Sequence, residues 1–376
     1  MIMMSREREK VAIVHNWYWN YRGAERVLTA LTEIYPDADL FFLFGDEKKI
    51  IAKYPGHKIR FSFLQNIPLI RSIYKLTLPL WPIATEALDL SEYSSVISSS
   101  ASTVWGVITH PNATHIAYVY SPMRYLWDQK DIYLRNMSRP IRILFRTFAH
   151  YLRMWDLVAS SRPDSIIVIS EYVKERLQKY YNRTADRVIY PPLIDLDELF
   201  NYPDKKKKEH LVVVSGFEEN KGAIEAIEYA IRSNEVVYLT GEHSIIRKLN
   251  KRYSKYKNVH FTGWLDRQDL LELIAEAKAT LFFGEEDLGL VPLESIALGT
   301  PVVALASGGA LETIEDGVNG VFIDELEYNA IHLALKRCEG IRINRRIERE
   351  RYEKFSNSNF RTAITKVVKD AKAQRQ

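Results

Sequence analysis

Short apolar runs rich in β-branched residues alternate with helical patterns along the whole chain, and this alternation constrains the fold more than any other feature. Strands separated by helices are typical of parallel sheets, because a parallel connection has to cross the sheet. We therefore predict an α/β protein. The predicted strands are residues 11–15, 95–100, 115–120, 165–170, 211–215, 235–240, 258–263, 279–283, 301–305 and 320–323.

A segment rich in proline and lysine, VIYPPLIDLDELFNYPDKKKKEH, separates the strands into two groups. Its tandem prolines and its four successive lysines are not expected inside a buried sheet. A chain of 376 residues is also long for one hydrophobic core and suits two. We predict two doubly wound, Rossmann-like domains that face a cleft. Their predicted extents are 1–193 and 194–356, with a C-terminal helix at 357–376 that crosses back to the first domain.

Composition excludes several classes of protein. The 52 basic and 48 acidic residues leave a net charge of +4, which is too balanced to indicate nucleic-acid binding. The single cysteine, Cys338, cannot form an intrachain disulfide and fits a reducing cytoplasm. No apolar run is long enough to span a bilayer, and the first residues lack a signal-peptide pattern. The histidines lack the spacing of a metal site, and no P-loop or GxGxxG motif follows a strand, so we expect no metal, kinase or dehydrogenase chemistry.

The segment from Pro140 to Trp155, PIRILFRTFAHYLRMW, has the pattern of a basic amphipathic helix. Helical spacing places three arginines on one side: Arg142, Arg146 and Arg153. It places apolar residues on another: Ile141, Phe145, Phe148, Leu152 and Trp155. Such a helix can bind an anionic membrane surface, and the alternative is a solvated basic face above an ordinary core face. A second basic and apolar stretch, residues 59–83, favours the membrane, so we expect a cytoplasmic protein on the inner face of the cell membrane.

The stretch GEEDLGLVPLESIALGTPVVA, residues 284–304, combines an acidic turn with the start of a helix. Free amides at the positive end of the helix dipole form an anion site that suits phosphate. The amides concerned are those of Gly289, Leu290 and Val291. Glu294, which we place in the first helical turn, could accept hydrogen bonds from a ribose diol, and Glu286 would face what lies beyond the phosphate. Alternatively, both acids serve only turn formation or the helix dipole.

The longer stretch GEEDLGLVPLESIALGTPVVALASGGALETIEDGVNGVF resembles the donor-site signature of glycosyltransferase family 4, whose enzymes have the two-domain GT-B fold. Glu286 and Glu294 match the two glutamates of that signature. Its GGxxE element is matched by Gly308, Gly309 and Glu312. The segments VAIVHNWYWNYRGAERVL, YSPMRYLWD, SEYVKERLQKYYNR, VIYPPLID and FTGWLD resemble the mannosyltransferase-like branch of bacterial and archaeal glycan-assembly enzymes, so the resemblance covers nearly the whole chain.

The resemblance implies retaining transfer of a hexose, mannose above others, from a GDP- or UDP-linked sugar. The implied acceptor is a lipid-linked or cell-surface glycan, and no metal or further cofactor is implied. In the family the second glutamate, here Glu294, holds the ribose of the nucleotide, and the first, Glu286, contacts the sugar near the reacting carbon. The lysine that neutralises the diphosphate corresponds to Lys221, in a turn that also contains Ser215 and Gly216.

Two positions depart from the family pattern. Gly216 stands where an arginine usually follows the first donor-domain strand, and Tyr120 stands where a histidine often faces the donor sugar. A tyrosine donates a hydrogen bond but cannot act as an imidazole does. These departures keep two alternatives open: a non-catalytic nucleotide-sugar-binding scaffold of a glycan-assembly complex, or a soluble transferase that makes a small glycoside.

Other candidate residues lie in the first domain. Gly23 and Ala24 follow its first strand, where small residues would let phosphate or acceptor approach the backbone. A plain strand-to-helix turn is the alternative. Arg124, in SPMRY, is a candidate contact for the acceptor or a phosphate, and the alternative is a surface arginine.

Overall fold

The strands assemble into two separate parallel sheets, which confirms the predicted α/β fold class. The computed structural model describes residues 10–135, 137, 139–193, 196–214, 221–241 and 244–375. The chain divides into a first unit, Met1–Ile194 with Lys354–Gln376, and a second unit, Asp195–Glu353.

The first unit contains a seven-stranded parallel sheet in the order β3-β2-β1-β4-β5-β6-β7. Its strands are β1 (Val11–Tyr18), β2 (Asp39–Gly45), β3 (Ile59–Phe61), β4 (Ser95–Ser100), β5 (Thr114–Val119), β6 (Ser165–Val168) and β7 (Arg187–Val188). The α-helices that lie between these strands in the chain are α1 (Gly23–Ile34), α2 (Glu47–Lys53), α3 (Ile70–Ile73), α4 (Trp81–Glu86), α5 (Lys130–Arg135), α6 (Arg139–Ala159) and α7 (Glu171–Tyr181).

The second unit contains a six-stranded parallel sheet in the order β10-β9-β8-β11-β12-β13. Its strands are β8 (His210–Val214), β9 (Val236–Thr240), β10 (Val259–Gly263), β11 (Ala279–Phe282), β12 (Val302–Leu305) and β13 (Gly320–Ile323). The helices that follow in the chain are α8 (Leu196–Asn201), α9 (Ala223–Ser233), α10 (Ser244–Tyr253), α11 (Arg267–Ala275), α12 (Leu290–Ala297), α13 (Ala310–Thr313), α14 (Tyr328–Glu339), α15 (Arg345–Arg351) and α16 (Asn357–Ala373).

The last helix, α16, belongs to the first unit. Phe360 on its inner side is buried, and its ring lies edge-on to Tyr118 of β5 with the centroids 5.7 Å apart. Beyond the helix end, Arg375 forms an ion pair with Asp164 at 2.7 Å. The chain therefore leaves the first unit, forms the second and returns to complete the core of the first.

Three strands were not predicted from the sequence: β2, β3 and β7. The run LFFLFG in β2 is buried throughout, and a continuous apolar run of this length cannot be told from a buried helix by its periodicity. Strands β3 and β7 have three and two residues, too few to show a pattern. Strand β3 also opens the basic and apolar stretch at residues 59–83, which favoured the membrane interpretation, and this part of the stretch pairs with β2 at the edge of the sheet.

Helix α6 spans 21 residues and contains the basic amphipathic segment, but its arginines differ from the prediction. Arg142 donates to the carbonyl of Met137 at 3.1 Å, and Arg153 donates to that of Leu126 at 3.3 Å. Of the three, only Arg146 is exposed. Two of the arginines are therefore bound to the backbone of their own unit. Among the described helices, none is long and apolar enough to cross a bilayer.

The inner face of α6 carries a buried acid that was not predicted from the sequence. Asp156 is 0% exposed and accepts three hydrogen bonds. Its donors are Trp105 Nε1 at 3.1 Å, Trp127 Nε1 at 2.9 Å and Tyr181 Oη at 2.7 Å. Burial raises the pKa of Asp156 to about 6, against the three hydrogen bonds, which lower it. The carboxyl group joins α6 to three other segments of the first unit.

Replacing Asp156 by alanine is expected to destabilise the first unit by about 3 kcal/mol at pH 7, because two indole N–H groups and one phenol lose their acceptor. In addition to these hydrogen bonds, the carboxyl makes a pH-dependent contribution to stability, because its pKa is raised on folding from 3.8 to about 6. This second contribution is full below the unfolded pKa and is lost as the pH rises through about 6. The loss caused by Asp156→Ala should therefore be larger at pH 5 than at pH 8.

Scanning calorimetry at the two pH values measures this, with the exposed Asp131→Ala on α5 as the control. Equal losses for the two variants would show that the three donors find other acceptors.

Candidate functional site

The strand order of the second unit defines where a ligand can bind. Strand β8 lies between β9 and β11, so the chain first builds the sheet on one side of β8 and then resumes on the other. In such sheets the loops diverge at the carboxyl ends of the two central strands and leave a crevice for a ligand. The loops concerned follow β8 and β11. Of the first, Ser215 and Gly216 lie outside the described residues, and Lys221 and Gly222 lie within them.

The loop after β11, residues 284–289, is called the acidic loop below. Glycines from two other segments pack against it or against the strand end before it. A Cβ atom on Gly222 would lie 2.3 Å from Cβ of Phe283, and one on Gly309 would lie 2.2 Å from Cα of Leu288. The amide of Gly309 also donates to the carbonyl of Glu286 at 2.8 Å. Because side chains at these glycines would collide with the loop, close backbone contact holds it in place.

The GGxxE element is thereby given a structural role. Gly308 has φ of +61°, a left-handed conformation that favours glycine, and a Cβ atom there would lie 2.5 Å from the carbonyl oxygen of Glu286. Gly308 and Gly309 pack directly on the acidic loop, and Glu312 follows in the short helix α13. The position of Glu286 thus depends on these two glycines.

At the switch point the side chains of Lys221 and Glu286 meet. Lys221 Nζ donates to Glu286 Oε1 at 2.7 Å, and the side chains are 17% and 32% exposed. An ammonium and a carboxylate in contact at the carboxyl ends of the central strands can bind a ligand that carries both anionic and hydroxyl groups. The lysine would bind the anion, and the carboxylate would accept a hydrogen bond from a hydroxyl.

Helix α12 begins directly after the acidic loop. Gly289 precedes it with φ of +84°, and a Cβ atom there would lie 2.9 Å from Cζ of Phe282. The first amides of the helix, which include those of Leu290 and Val291, have no carbonyl one turn earlier to bond. They lie at the positive end of the helix dipole and next in the chain to the acidic loop that carries Glu286.

Glu294 lies in the second turn of α12 rather than in the first, since the helix begins at Leu290. It is 4% exposed, and its Oε1 accepts from Arg267 Nη1 at 2.9 Å. Arg267, the first residue of α11, was not predicted as a site residue. Its position directly after FTGWLD, at the end of β10, is the only signal in the sequence that points to it. A buried carboxylate bound by a guanidinium is held in one orientation, which suits recognition of a diol.

Two of the residues predicted in the first unit, Tyr120 and Ala24, are in contact near the carboxyl ends of its central strands. The hydroxyl of Tyr120 is 2.6 Å from Ser99 Oγ and 3.1 Å from the carbonyl oxygen of Ala24, to which it donates. His15 Nδ1 lies 2.9 Å from the same Ser99 hydroxyl. Burial raises the pKa of Tyr120 far above its ordinary value, so the phenol stays protonated.

Tyr120 therefore binds the backbone of the first turn of α1. Gly23 and Ala24 are the first two residues of this helix. Arg124 lies half-buried in the segment after β5. His15 and Ser99 were missed, and no motif marks them, because they meet only where β1 and β4 are paired.

Comparisons with known proteins concern the second unit and the fold. The model of the family Glycosyl transferases group 1 matches residues 196–357. Over 198 residues the chain is 27% identical to GDP-mannose-dependent alpha-(1-6)-phosphatidylinositol monomannoside mannosyltransferase of Mycolicibacterium smegmatis, covering 46% of this chain and 52% of that protein. The matched part covers between 36% and 60% of the length of that protein and two other curated relatives.

Two solved structures share the fold. Sucrose-phosphate synthase from Thermosynechococcus elongatus superposes with a TM-score of 0.69 at 18% identity, covering 98% of this chain and 100% of that one. HepE of Anabaena in complex with UDP-glucose has a TM-score of 0.62 at 15% identity, covering 95% and 99%. The chain therefore has the GT-B fold, and its residues 196–357 are similar to the glycosyl transferases of group 1.

Proposed function

We propose that this protein transfers a hexose from a nucleoside-diphosphate sugar with retention of configuration at the reacting carbon. The contact of Lys221 with Glu286, next to the acidic loop and the start of α12, carries this proposal. Charge develops on the departing phosphate oxygens as the sugar leaves, and a lysine with oriented amides stabilises it in place. No metal ion is required, because the lysine and the helix N-terminus supply the positive charge.

In the proposed step the bond between the anomeric carbon and the diphosphate oxygen breaks, and the hydroxyl oxygen of the acceptor bonds to the same carbon. The proton of that hydroxyl passes to the departing phosphate, so no side-chain base is needed. Glu286 faces the sugar and stabilises its positive charge, and Glu294, oriented by Arg267, holds the ribose. These roles follow the resemblance to family 4 and agree with the pairing of both acids and the burial of Glu294.

We propose mannose as the sugar, linked to GDP, with a UDP-linked hexose as the second candidate donor. The mycobacterial relative is named as a GDP-mannose-dependent mannosyltransferase acting on a phosphatidylinositol monomannoside, and HepE binds UDP-glucose. The proposed acceptor is a lipid-linked or cell-surface glycan. Exposed apolar residues of α6 beside Arg146 support a site of action at the cytoplasmic face of a membrane, reached by peripheral binding.

A panel of GDP-, UDP- and ADP-sugars in thermal-shift assays identifies the donor, because a ligand that binds the folded state raises the melting temperature. Glu294→Gln is expected to weaken binding of the stabilising nucleotide about 10- to 100-fold, since a charged acceptor for the ribose hydroxyls is lost. The exposed Glu325→Gln in the same unit is the control and should leave the affinity unchanged. Equal affinity of Glu294→Gln and wild type would contradict the ribose role.

Transfer of radiolabel from the identified donor to a membrane lipid extract then tests the activity. Labelled lipid is the expected product. Binding of every donor without turnover would favour the scaffold, for which the internal bonds of the Tyr120 hydroxyl are the structural argument. Labelled product confined to the water-soluble fraction would favour a transferase that makes a small glycoside.

A further inference from the structure

The first unit contains a cavity between α5 and α6 that none of the predicted site residues lines. Its volume is about 300 Å³. Three basic and three apolar side chains line it: Lys130, Arg146, Arg153, Leu134, Phe145 and Ala149. This cavity is called the α5–α6 pocket below. A cavity of this size holds a small ligand group rather than a few water molecules.

The charge of the α5–α6 pocket is uncompensated. No acid is among its lining residues. Within the described part of the chain, neither Lys130 nor Arg146 forms an ion pair, and Arg153 uses one guanidinium nitrogen to donate to the Leu126 carbonyl. That hydrogen bond fixes the direction of the Arg153 side chain. Three cations around one small cavity are suited to a phosphate group, which accepts several charge-assisted hydrogen bonds at once.

The basic edge of the pocket borders an exposed apolar strip on the surface of α6. With 100° between successive residues of a helix, Arg146 and Arg153 lie between the buried face and a strip of exposed apolar residues. The apolar residues of this strip are Ile143, Met154, Leu157 and Val158, and the exposed Thr147 and His150 lie on the same side of the helix. Of these, Ile143 is 67% and Val158 60% exposed. A cationic pocket beside an exposed apolar strip matches an amphiphile with an anionic head and a hydrocarbon tail.

We propose that the α5–α6 pocket binds the phosphate of a membrane phospholipid headgroup, with the apolar strip of α6 in contact with the acyl chains. This proposal rests on the membrane-surface part of the proposed function and names the chemistry of the lipid. It also revises the role of the arginines of α6. Arg146 and Arg153 act together with Lys130 of α5 around one phosphate, rather than with Arg142 along one helix face.

Sedimentation of the full chain with phosphatidylcholine vesicles that contain phosphatidylglycerol tests the proposal. The double variant Lys130→Ala/Arg146→Ala is expected to lose binding on the order of tenfold or more, because each basic residue near an anionic surface contributes substantially. The control Lys366→Ala/Lys369→Ala removes the same charge from exposed positions of α16 and should lose less than about twofold. Equal losses for both doubles would show diffuse attraction by net charge and overturn the pocket.

Two further arms separate the sources of the anion. In one arm, oleate replaces phosphatidylglycerol at the same surface charge, so that the anionic groups are carboxylates instead of phosphates. Weaker binding to these vesicles is expected. Binding of equal strength would overturn phosphate recognition. Glycerol 1-phosphate tests a soluble ligand: a rise in melting temperature with this ester, combined with no binding to phosphatidylglycerol vesicles, would overturn the lipid source.

A measurement of nucleotide binding in the absence of vesicles distinguishes a failure of this proposal from a failure of the transferase proposal. The pocket double is expected to show the thermal shift of the wild type with the donor nucleotide, because the pocket and the donor residues lie in different units. A wild type that binds phosphatidylglycerol vesicles through the pocket yet transfers no sugar would leave this inference intact and refute the transferase.

Discussion

Glu286→Gln is expected to lower kcat about 100-fold while the affinity for the nucleoside diphosphate changes by less than about threefold. The amide has nearly the shape of the carboxylate, so the backbone hydrogen bond from Gly309 and the packing of the acidic loop remain. What is lost is the negative charge beside the reacting carbon, which stabilises the positive sugar only in the transition state. An interaction made only there affects kcat and not ground-state binding.

The contact of Glu286 with Lys221 sharpens this expectation. Without the carboxylate the ammonium loses its partner at 2.7 Å and is available to the diphosphate, so nucleotide affinity should stay equal or increase slightly. Steady-state kinetics and calorimetric titration of the nucleotide measure the two quantities separately. Glu285→Gln, the same change one residue earlier, is the control and should retain most of the activity. Activity of Glu286→Gln near that of the wild type would refute its assigned role.

Gly309→Ala is expected to abolish measurable transfer and to destabilise the second unit by about 2–4 kcal/mol. The new Cβ would lie 2.2 Å from Cα and 2.6 Å from N of Leu288, so backbone rather than a flexible side chain has to move. Moving Leu288 displaces the acidic loop, and with it the carboxylate that must face the sugar. A displacement of about 1 Å in a reacting group is enough to cost about 100-fold in rate.

Gly340→Ala provides the matched control for this experiment. Gly340 ends α14 in the same unit with φ of −82°, and a Cβ atom there would lie 3.6 Å from the nearest backbone oxygen, which is ordinary contact. That variant should keep its activity and its melting temperature. Full transfer activity in Gly309→Ala would show that the acidic loop tolerates displacement and that close glycine packing does not position Glu286.

Much of the site could be predicted because its signals are local. The acidic loop and the start of α12 lie within one continuous stretch of sequence. A glycine that follows an apolar strand and precedes a helical pattern indicates the turn between the two elements. The sequence did not predict site residues whose side chains are bound to a partner distant in the chain. Arg267 and Glu294 are 27 residues apart, and no spacing rule connects an arginine after one strand to a glutamate after another.

The arginines of α6 show the same limit. A helical pattern assigns each residue to a face, but it does not say which carbonyl groups lie opposite that face. Arg142 and Arg153 donate to such carbonyls in their own unit, at Met137 and Leu126, so the three arginines do not form one common basic face along the helix. Asp156 was missed for a related reason, since its indole and phenol donors come from three separate segments.

By itself, the sequence determined that the chain forms two parallel sheets flanked by helices. It also determined that an acidic turn bounded by glycines precedes a helix. Both follow from patterns of neighbouring residues: apolar runs that form strands, prolines and glycines that end them, and residues that start helices. Only the tertiary structure decided which charges meet. Lys221 and Glu286 are 65 residues apart, and they come into contact because β8 and β11 are neighbours in the sheet. The pairing of strands distant in the chain is fixed by packing of the whole core, and the chemistry of the site follows from that pairing.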